Sequence, residues 1–138
     1  GLVYSIYSFL STYSDGGMTT VYAGTRPQEV ERVVEVVCRE LKKLRTHGID
    51  AKDLARVKNQ MKGSLMLSLE SSHSRMSKLA KDELTQGNHV SLEQMIAEID
   101  RVTTDQVYRV AQTLLDQRCL SITALGPIPT KSLQSFAS

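Results

Sequence analysis

Residues 3–24 read VYSIYSFLSTYSDGGMTTVYAG, and this stretch decides the fold class. Its first part, residues 3–13, is rich in β-branched and aromatic side chains, which is typical of a β-strand. Residues 14–17, SDGG, have the composition of a tight turn, and residues 18–23 resume the strand-like pattern. The stretch therefore predicts an antiparallel β-hairpin.

Apolar side chains occupy both alternating sets of the first predicted strand. One set holds Tyr4, Ile6 and Leu10, and the other holds Val3, Tyr7 and Phe9. Successive side chains of a strand point to opposite faces of the sheet. We therefore expect this strand to be covered on both faces, or to face something other than bulk water.

Helical patterns follow the hairpin. Thr25 is predicted to cap the first helix, because Gln28 stands at the capping-box distance and Pro27 suits an early helical position. Apolar residues then recur at intervals of three and four, at Val30, Val33, Val34, Val37, Leu41 and Leu44. This spacing predicts an amphipathic helix that ends at His47-Gly48.

Further helix starts are predicted at Asp50, after the polar residues 71–74, at Ser91 and at Thr103. Gly63 lies inside the first of these helices, which starts at Asp50, and a glycine there indicates close packing. Residues 120–125 are predicted to form a last strand. The order of hairpin, helices and strand indicates an α+β fold, with an antiparallel or mixed sheet and helices packed on one face.

The composition is that of an ordinary globular protein, with 41% apolar and 23% charged residues among 138. A formal net charge of +2, without a basic stripe interleaved with aromatics, argues against nucleic acid as a partner. No apolar run approaches the roughly 18 residues of a membrane span. Cys38 lies among apolar residues of the first helix and is expected to act as a buried hydrophobe.

No set of residues has the spacing of a catalytic or metal site. His47, His73 and His89 are the only histidines, and none belongs to an H-E-x-x-H or H-x-x-E-H motif. G-x-S-x-G and the phosphate-binding glycine motifs are also absent. The residues therefore predict no catalytic group, no metal ligand and no cofactor bound by this chain.

Several short motifs occur in an order that resembles one peptidase family. They are GLVYSIYS at residues 1–8, MTTVYAGTRP at 18–27, KGSLMLSLES at 62–71, SRM at 74–76 and LGP at 125–127. Together they are similar to the C-terminal half of bacterial processing-peptidase-like enzymes. These belong to the zinc metallopeptidases of pitrilysin, insulin-degrading enzyme and mitochondrial processing peptidase, and the similarity runs in register over essentially the whole chain.

The resemblance implies a large enzyme whose two halves share an α+β fold and close around unfolded peptides. Zinc and the H-x-x-E-H motif belong to the other, N-terminal half, which would be this chain's partner. Tyr4 matches a tyrosine that holds substrate near the scissile bond in the family. The arginine that accompanies it there would lie seven residues before Tyr4, ahead of Gly1.

The chain is accordingly expected to be one partial domain over residues 1–138, from the C-terminal part of the second half, with a frayed tail at residues 127–138. Because it opens on Gly1 and strand-like sequence, we expect a piece of a longer protein that is inert by itself. Its exposed sheet edge and core should make it self-associate. Bacterial cytoplasm is the expected location.

Two alternatives stay open. In the first, the parent protein is a family member that has lost catalysis and serves as a structural or substrate-guiding subunit. In the second, the chain is an unrelated α+β protein-binding module.

Overall fold

The computed structural model describes residues 1–128, Leu133 and Phe136, except for the side chains of Gln86 and Gln117. The described residues form strands β1 (Ser5–Thr12) and β2 (Gly17–Gly24), then helices α1 (Val30–His47), α2 (Ala51–Ser68), α3 (Ser72–Gln86), α4 (Leu92–Arg101) and α5 (Thr104–Leu114). Short 3₁₀ turns lie at Pro27–Glu29 and Gln117–Cys119. The predicted α+β class is confirmed.

The chain divides into two compact units. The first unit contains Gly1–Gly48 together with the chain from Tyr108 onward, and the second contains Ile49–Val107. The hairpin and α1 therefore belong to the first unit, and α2, α3 and α4 belong to the second.

The predicted hairpin is present. β1 and β2 pair antiparallel in a register that runs from Ser5 opposite Gly24 to Thr12 opposite Gly17. At the turn, the Tyr13 N–H donates to the Gly16 carbonyl at 2.8 Å. The turn residues Asp15 and Gly16 let the chain reverse between these strands, as their composition predicted.

The expected cover of the hairpin is not supplied by the described part of this chain. Tyr7 on one face keeps 54% of its surface exposed, and Leu10 on the other keeps 65%. The other large apolar residues of the two strands are also exposed: Ile6, Phe9, Met18, Val21 and Tyr22. Both faces of the hairpin are thus apolar and exposed. The strand pattern predicted a covered hairpin, so we expect residues outside the described part of this chain to cover it.

Helix α1 carries the predicted apolar stripe but starts differently. Val33 is buried, and Val30, Val34, Val37, Leu41 and Leu44 are half-buried. Thr25 does not cap the helix, contrary to the prediction, because its hydroxyl donates to the Leu2 carbonyl at 2.6 Å. The Pro27–Glu29 turn leads into α1 instead, and neither start has a side-chain cap. The helix ends at Gly48 as predicted, with φ at 71°.

The helix starts of the second unit follow the predicted caps. The Asp50 carboxylate accepts from the Asp53 N–H at 2.7 Å and begins α2. Ser91 forms a reciprocal capping box with Gln94 at the start of α4. Thr103 forms the same pair of hydrogen bonds with Gln106 before α5. Only α3 starts earlier than expected, since Ser71 caps it and the predicted polar break supplies its first turn.

Two local predictions are wrong. Residues 120–125 are not a strand, and Leu125 is fully exposed. A strand needs a neighbour to complete its hydrogen bonds, and the described residues pair only β1 with β2. Gly63 has no atom within 4 Å of the place a Cβ would occupy, so close packing does not explain it. Most of the predicted frayed tail, residues 127–138, lies outside the described residues.

Candidate functional site

Tyr4 lies immediately before β1 and is strongly exposed. Its side chain and backbone together keep 75% of their accessible surface. The Tyr4 N–H donates to the Gly24 carbonyl at 2.7 Å, so the backbone at this residue is tied to the end of β2. Within the described part of the chain, the Tyr4 hydroxyl makes no hydrogen bond. Its phenol is therefore available to an outside acceptor.

A second hydrogen bond holds the segment that precedes Tyr4. The Thr25 hydroxyl donates to the Leu2 carbonyl at 2.6 Å, in a partly buried position. The hairpin end approaches closely here, because a Cβ on Gly24 would lie 3.1 Å from the Ser5 Oγ. Glycine at this position thus lets the end of β2 lie close to the Ser5 side chain at the start of β1.

An aromatic group lies further along the hairpin. The Tyr7 ring stacks on the Tyr22 ring with centroids 4.9 Å apart, and the Phe9 centroid is 6.1 Å from that of Tyr7. Tyr7 faces Tyr22 directly across the two strands. The Tyr7–Tyr22 pair stabilises the register of the hairpin that carries Tyr4, and Phe9 extends the aromatic group along β1.

The histidines do not form a metal site. His47 contacts its neighbour Thr46 with 2.7 Å between Nδ1 and the hydroxyl oxygen, and His73 lies exposed in the first turn of α3. His89 Nδ1 lies 3.4 Å from a carboxylate oxygen of Asp82. Among the described residues, no group of three or more His, Cys, Asp or Glu side chains is arranged to hold a metal ion.

Sequence reasoning missed a charged cluster around Asp82 in the second unit. This carboxylate is buried, with 8% of the residue exposed, and accepts from the Lys78 ammonium and from the Val90 N–H at 3.3 Å. Lys78 also donates to the Val90 carbonyl at 2.6 Å. The Lys78 hydrogen bond is the main cause that holds the pKa of Asp82 below its ordinary value. The cluster ties α3 to the loop before α4, and only the four-residue spacing of Lys78 and Asp82 signalled it.

A second charged cluster lies in the first unit. The Asp116 carboxylate accepts from Arg118 at 2.9 Å and from Arg45 at 3.3 Å. The Arg118 side chain is the main cause that holds the pKa of Asp116 well below its usual range.

Burial raises the pKa of the Cys38 thiol, which disfavours the reactive thiolate and fits the packing role expected for it. The two charged clusters and Cys38 therefore stabilise the fold. Tyr4 remains the functional candidate, because its hydroxyl makes no hydrogen bond within the described part of the chain.

Comparisons with known proteins agree with the motifs. Residues 1–61 match the family described as the peptidase M16 inactive domain. The zinc protease YmxG of Bacillus subtilis, itself uncharacterized, is 41% identical over 94% of this chain and 32% of its own length. The beta subunit of the mitochondrial-processing peptidase of Saccharomyces cerevisiae is 29% identical over 94% of this chain and 28% of its own length.

The fold has a counterpart in a solved structure. A chain of Complex III2 from Candida albicans matches with a TM-score of 0.73 and 25% identity, over 81% of this chain and 27% of that one. This chain thus spans about a third or less of the length of the relatives it matches. The resemblance drawn from the motifs is thus confirmed: residues 1–61 match the M16 inactive domain, and the chain is similar over almost its whole length to part of these zinc proteases and processing peptidases.

Proposed function

We propose that this chain is part of the non-zinc-binding C-terminal half of a zinc-dependent metalloendopeptidase that cleaves peptides or unfolded segments. Its task is to enclose the substrate against the catalytic half. In this proposal the chain is inert by itself, because zinc and the catalytic motif belong to the other half. The observation that carries the proposal is the exposed phenol of Tyr4, on a segment held by one hydrogen bond at Tyr4 and one at Leu2. The motif resemblance matches this residue to the family's substrate-holding tyrosine.

The chemistry proposed for Tyr4 is hydrogen-bond donation to the substrate. Zinc held by the other half would activate a water for attack on a peptide carbonyl, and negative charge would then develop on the carbonyl oxygen. A donor fixed before the reaction stabilises that charge more than it stabilises the ground state. The phenol O–H of Tyr4 is such a donor, and no described residue competes for it.

The proposal assigns zinc and the general base to the other half of the parent protein. That N-terminal half is then the first partner of this chain, and a peptide is the second. The exposed apolar faces of the hairpin support a covering partner, because burying them removes apolar surface from water. A bacterial cytoplasmic location stays a prediction. No helix in the described residues is both long and apolar enough to cross a membrane.

The test uses the full-length zinc-loaded protein that contains this chain, assayed on an unstructured peptide. Loss of one positioned oxyanion donor lowers kcat by about 10²- to 10³-fold in a well-studied protease, and we expect a fall of up to that size for Tyr4→Phe. Tyr13→Phe is the matched control, because Tyr13 is similarly exposed, at 72%, beside the turn at the other end of the hairpin. Unchanged kcat in Tyr4→Phe, with zinc content intact, would remove the role of Tyr4.

One observation favours a second candidate. The matched solved chain is a component of Complex III2, so the fold also occurs inside a larger assembly. The parent protein would then be a structural or substrate-guiding subunit without catalysis. Zinc content and peptide cleavage by the full-length protein separate the two candidates: stoichiometric zinc with cleavage supports the peptidase, and the absence of both supports the subunit.

A further inference from the structure

Residues 2–4, which lead into β1, are held by two hydrogen bonds to the consecutive residues Gly24 and Thr25. The Thr25 hydroxyl donates to the Leu2 carbonyl at 2.6 Å, and the Tyr4 N–H donates to the Gly24 carbonyl at 2.7 Å. Both precede the regular ladder, which begins at Ser5. The ladder therefore does not fix the direction of this segment. The two hydrogen bonds hold it together with the half-buried side chains of Leu2 and Val3.

Packing does not orient the Tyr4 side chain either. With 75% of the residue exposed, its ring has few neighbours to restrict it. The region that the phenol can reach is then centred on the direction of its Cα–Cβ bond, which follows from the backbone of the segment that enters β1. Releasing the Leu2 carbonyl leaves the Tyr4 N–H as the remaining one of the two hydrogen bonds, and the segment gains freedom about the intervening peptide units.

The Thr25 hydroxyl makes a long-range contact and not the local one that its spacing to Gln28 suggested. Arg26 precedes the Pro27–Glu29 turn and Glu29 precedes α1, so Thr25 lies outside both cap positions. Its hydroxyl donates to a carbonyl 23 residues away in sequence. This hydrogen bond couples the segment before β1 to the end of β2.

We infer that Thr25 is a positioning residue for Tyr4: its hydroxyl anchors the Leu2 carbonyl so that the phenol of Tyr4 points to the substrate carbonyl. This inference rests on the substrate contact proposed for Tyr4. Thr25 itself touches no substrate. Its effect on the reaction passes through the placement of the phenol, where a displacement of about 1 Å can lower the rate by about 10²-fold.

The test is a double-mutant cycle in the full-length zinc-loaded protein, with kcat and KM measured on one unstructured peptide. Thr25→Val removes the hydroxyl and keeps the shape, and we expect kcat to fall about 10- to 100-fold with KM nearly unchanged. In a Tyr4→Phe background the same change should cost less than about 2-fold, because the donor it positions is gone. Thr25→Ser keeps the hydroxyl and should retain kcat within about 3-fold of the parent.

Thr85→Val is the matched control. Thr85 also donates to a backbone carbonyl, that of Lys81 at 2.8 Å, but inside α3 and on an exposed surface. It should leave kcat unchanged. Hydrogen exchange gives a readout that does not depend on activity: the Tyr4 amide should exchange faster in Thr25→Val than in the parent or in Thr85→Val.

The outcomes separate the inference from the function beneath it. If Tyr4→Phe leaves kcat unchanged, the proposed role of Tyr4 fails first. If Tyr4→Phe lowers kcat but Thr25→Val leaves kcat unchanged, as Thr85→Val should, only the inference about Thr25 is overturned. The same holds if Thr25→Val lowers kcat as much in the Tyr4→Phe background as in the parent. Where Thr25→Val does not fold, Thr25→Ser decides: a folded serine variant that loses more than about 10-fold in kcat overturns the inference, since the hydroxyl is still present.

Discussion

Gly48 offers a sharp test of the packing in the first unit. It ends α1, and its N–H donates to the Leu44 carbonyl at 2.9 Å. Its backbone has φ at 71° and ψ at −157°, a combination that residues with a Cβ rarely adopt. A Cβ placed on Gly48 would also lie 3.3 Å from Cδ2 and 3.4 Å from Cβ of Tyr108. Gly48→Ala therefore meets two separate penalties.

The magnitude follows from adding these effects. The backbone conformation costs roughly 1–3 kcal/mol for a residue other than glycine. Crowding against the Tyr108 ring adds about 1 kcal/mol or more, since the ring must move. The unfolded alanine variant has less freedom to lose, which offsets roughly 0.4–1 kcal/mol. We expect a net loss of about 2–4 kcal/mol in the free energy of unfolding.

Two other glycines serve as matched controls. Gly87 also has positive φ, at 67°, but no atom lies within 4 Å of its built Cβ, so Gly87→Ala should cost only about 1 kcal/mol. Gly63 lies inside α2 with open space around it, and Gly63→Ala should gain about 1 kcal/mol from helix propensity. The three variants thus separate backbone strain, side-chain contact and propensity.

The assay is urea unfolding of the 138-residue chain, followed by circular dichroism. All variants are compared at one protein concentration, because any self-association stabilises the folded state by mass action. The order expected for stability is Gly63→Ala, parent, Gly87→Ala, Gly48→Ala. A Gly48→Ala variant no less stable than Gly87→Ala would refute the contact with Tyr108, and a stabilised one would refute the backbone conformation as well.

Local features of this fold could be predicted from the sequence because their causes are local. A cap such as Asp50 or Ser91 needs only an oxygen on one residue and a backbone N–H three residues later. The hairpin likewise follows from a turn flanked by strand-forming residues. The apolar stripe of α1 follows from its spacing, and Val33 at its centre is buried as expected.

Features that depend on a distant partner could not be predicted. The sequence suggested a capping box between Thr25 and Gln28, three residues later. The acceptor that the Thr25 hydroxyl uses, the Leu2 carbonyl, lies 23 residues away and could not be predicted from local spacing. Residues 120–125 have strand-like composition, but composition does not specify a pairing strand. Asp82 gathers Lys78, Val90 and His89, of which only the first stands at a helical spacing that a sequence displays.

The candidate site shows the same division. The residues alone did not single out Tyr4 from the other exposed aromatics, and only the motif resemblance did so. The structure adds what no motif contains, namely the exposure of the phenol and the two hydrogen bonds that hold the Leu2–Tyr4 segment. Tyr4 and Thr25 therefore form one candidate unit, although they lie 21 positions apart in the sequence (25 − 4).

Two further predictions concern the chain in isolation. The open hairpin should make it self-associate, and Leu10→Lys should weaken that association about 5- to 30-fold by sedimentation, because a leucine that is 65% exposed offers roughly 1–2 kcal/mol of burial. Leu84→Lys, at a residue that is 87% exposed on α3, is the control, and an equal effect there would contradict the hairpin as the contact. The second prediction concerns acid. The folded pKa of Asp82 lies below its ordinary value of 3.8, chiefly because of the Lys78 hydrogen bond, so its stabilising contribution is full above pH 3.8 and is lost as the pH falls through the folded pKa. Asp82→Asn should therefore be less stable than the parent at pH 6, and this difference in urea unfolding should shrink as the pH falls below 3.8. Asp15→Asn, in the exposed turn, is the control and should be as stable as the parent at pH 6 within about 0.5 kcal/mol. A difference that stays constant down to acid pH would mean that the Asp82 charge does not contribute to stability, and that the cluster holds the loop before α4 through shape alone.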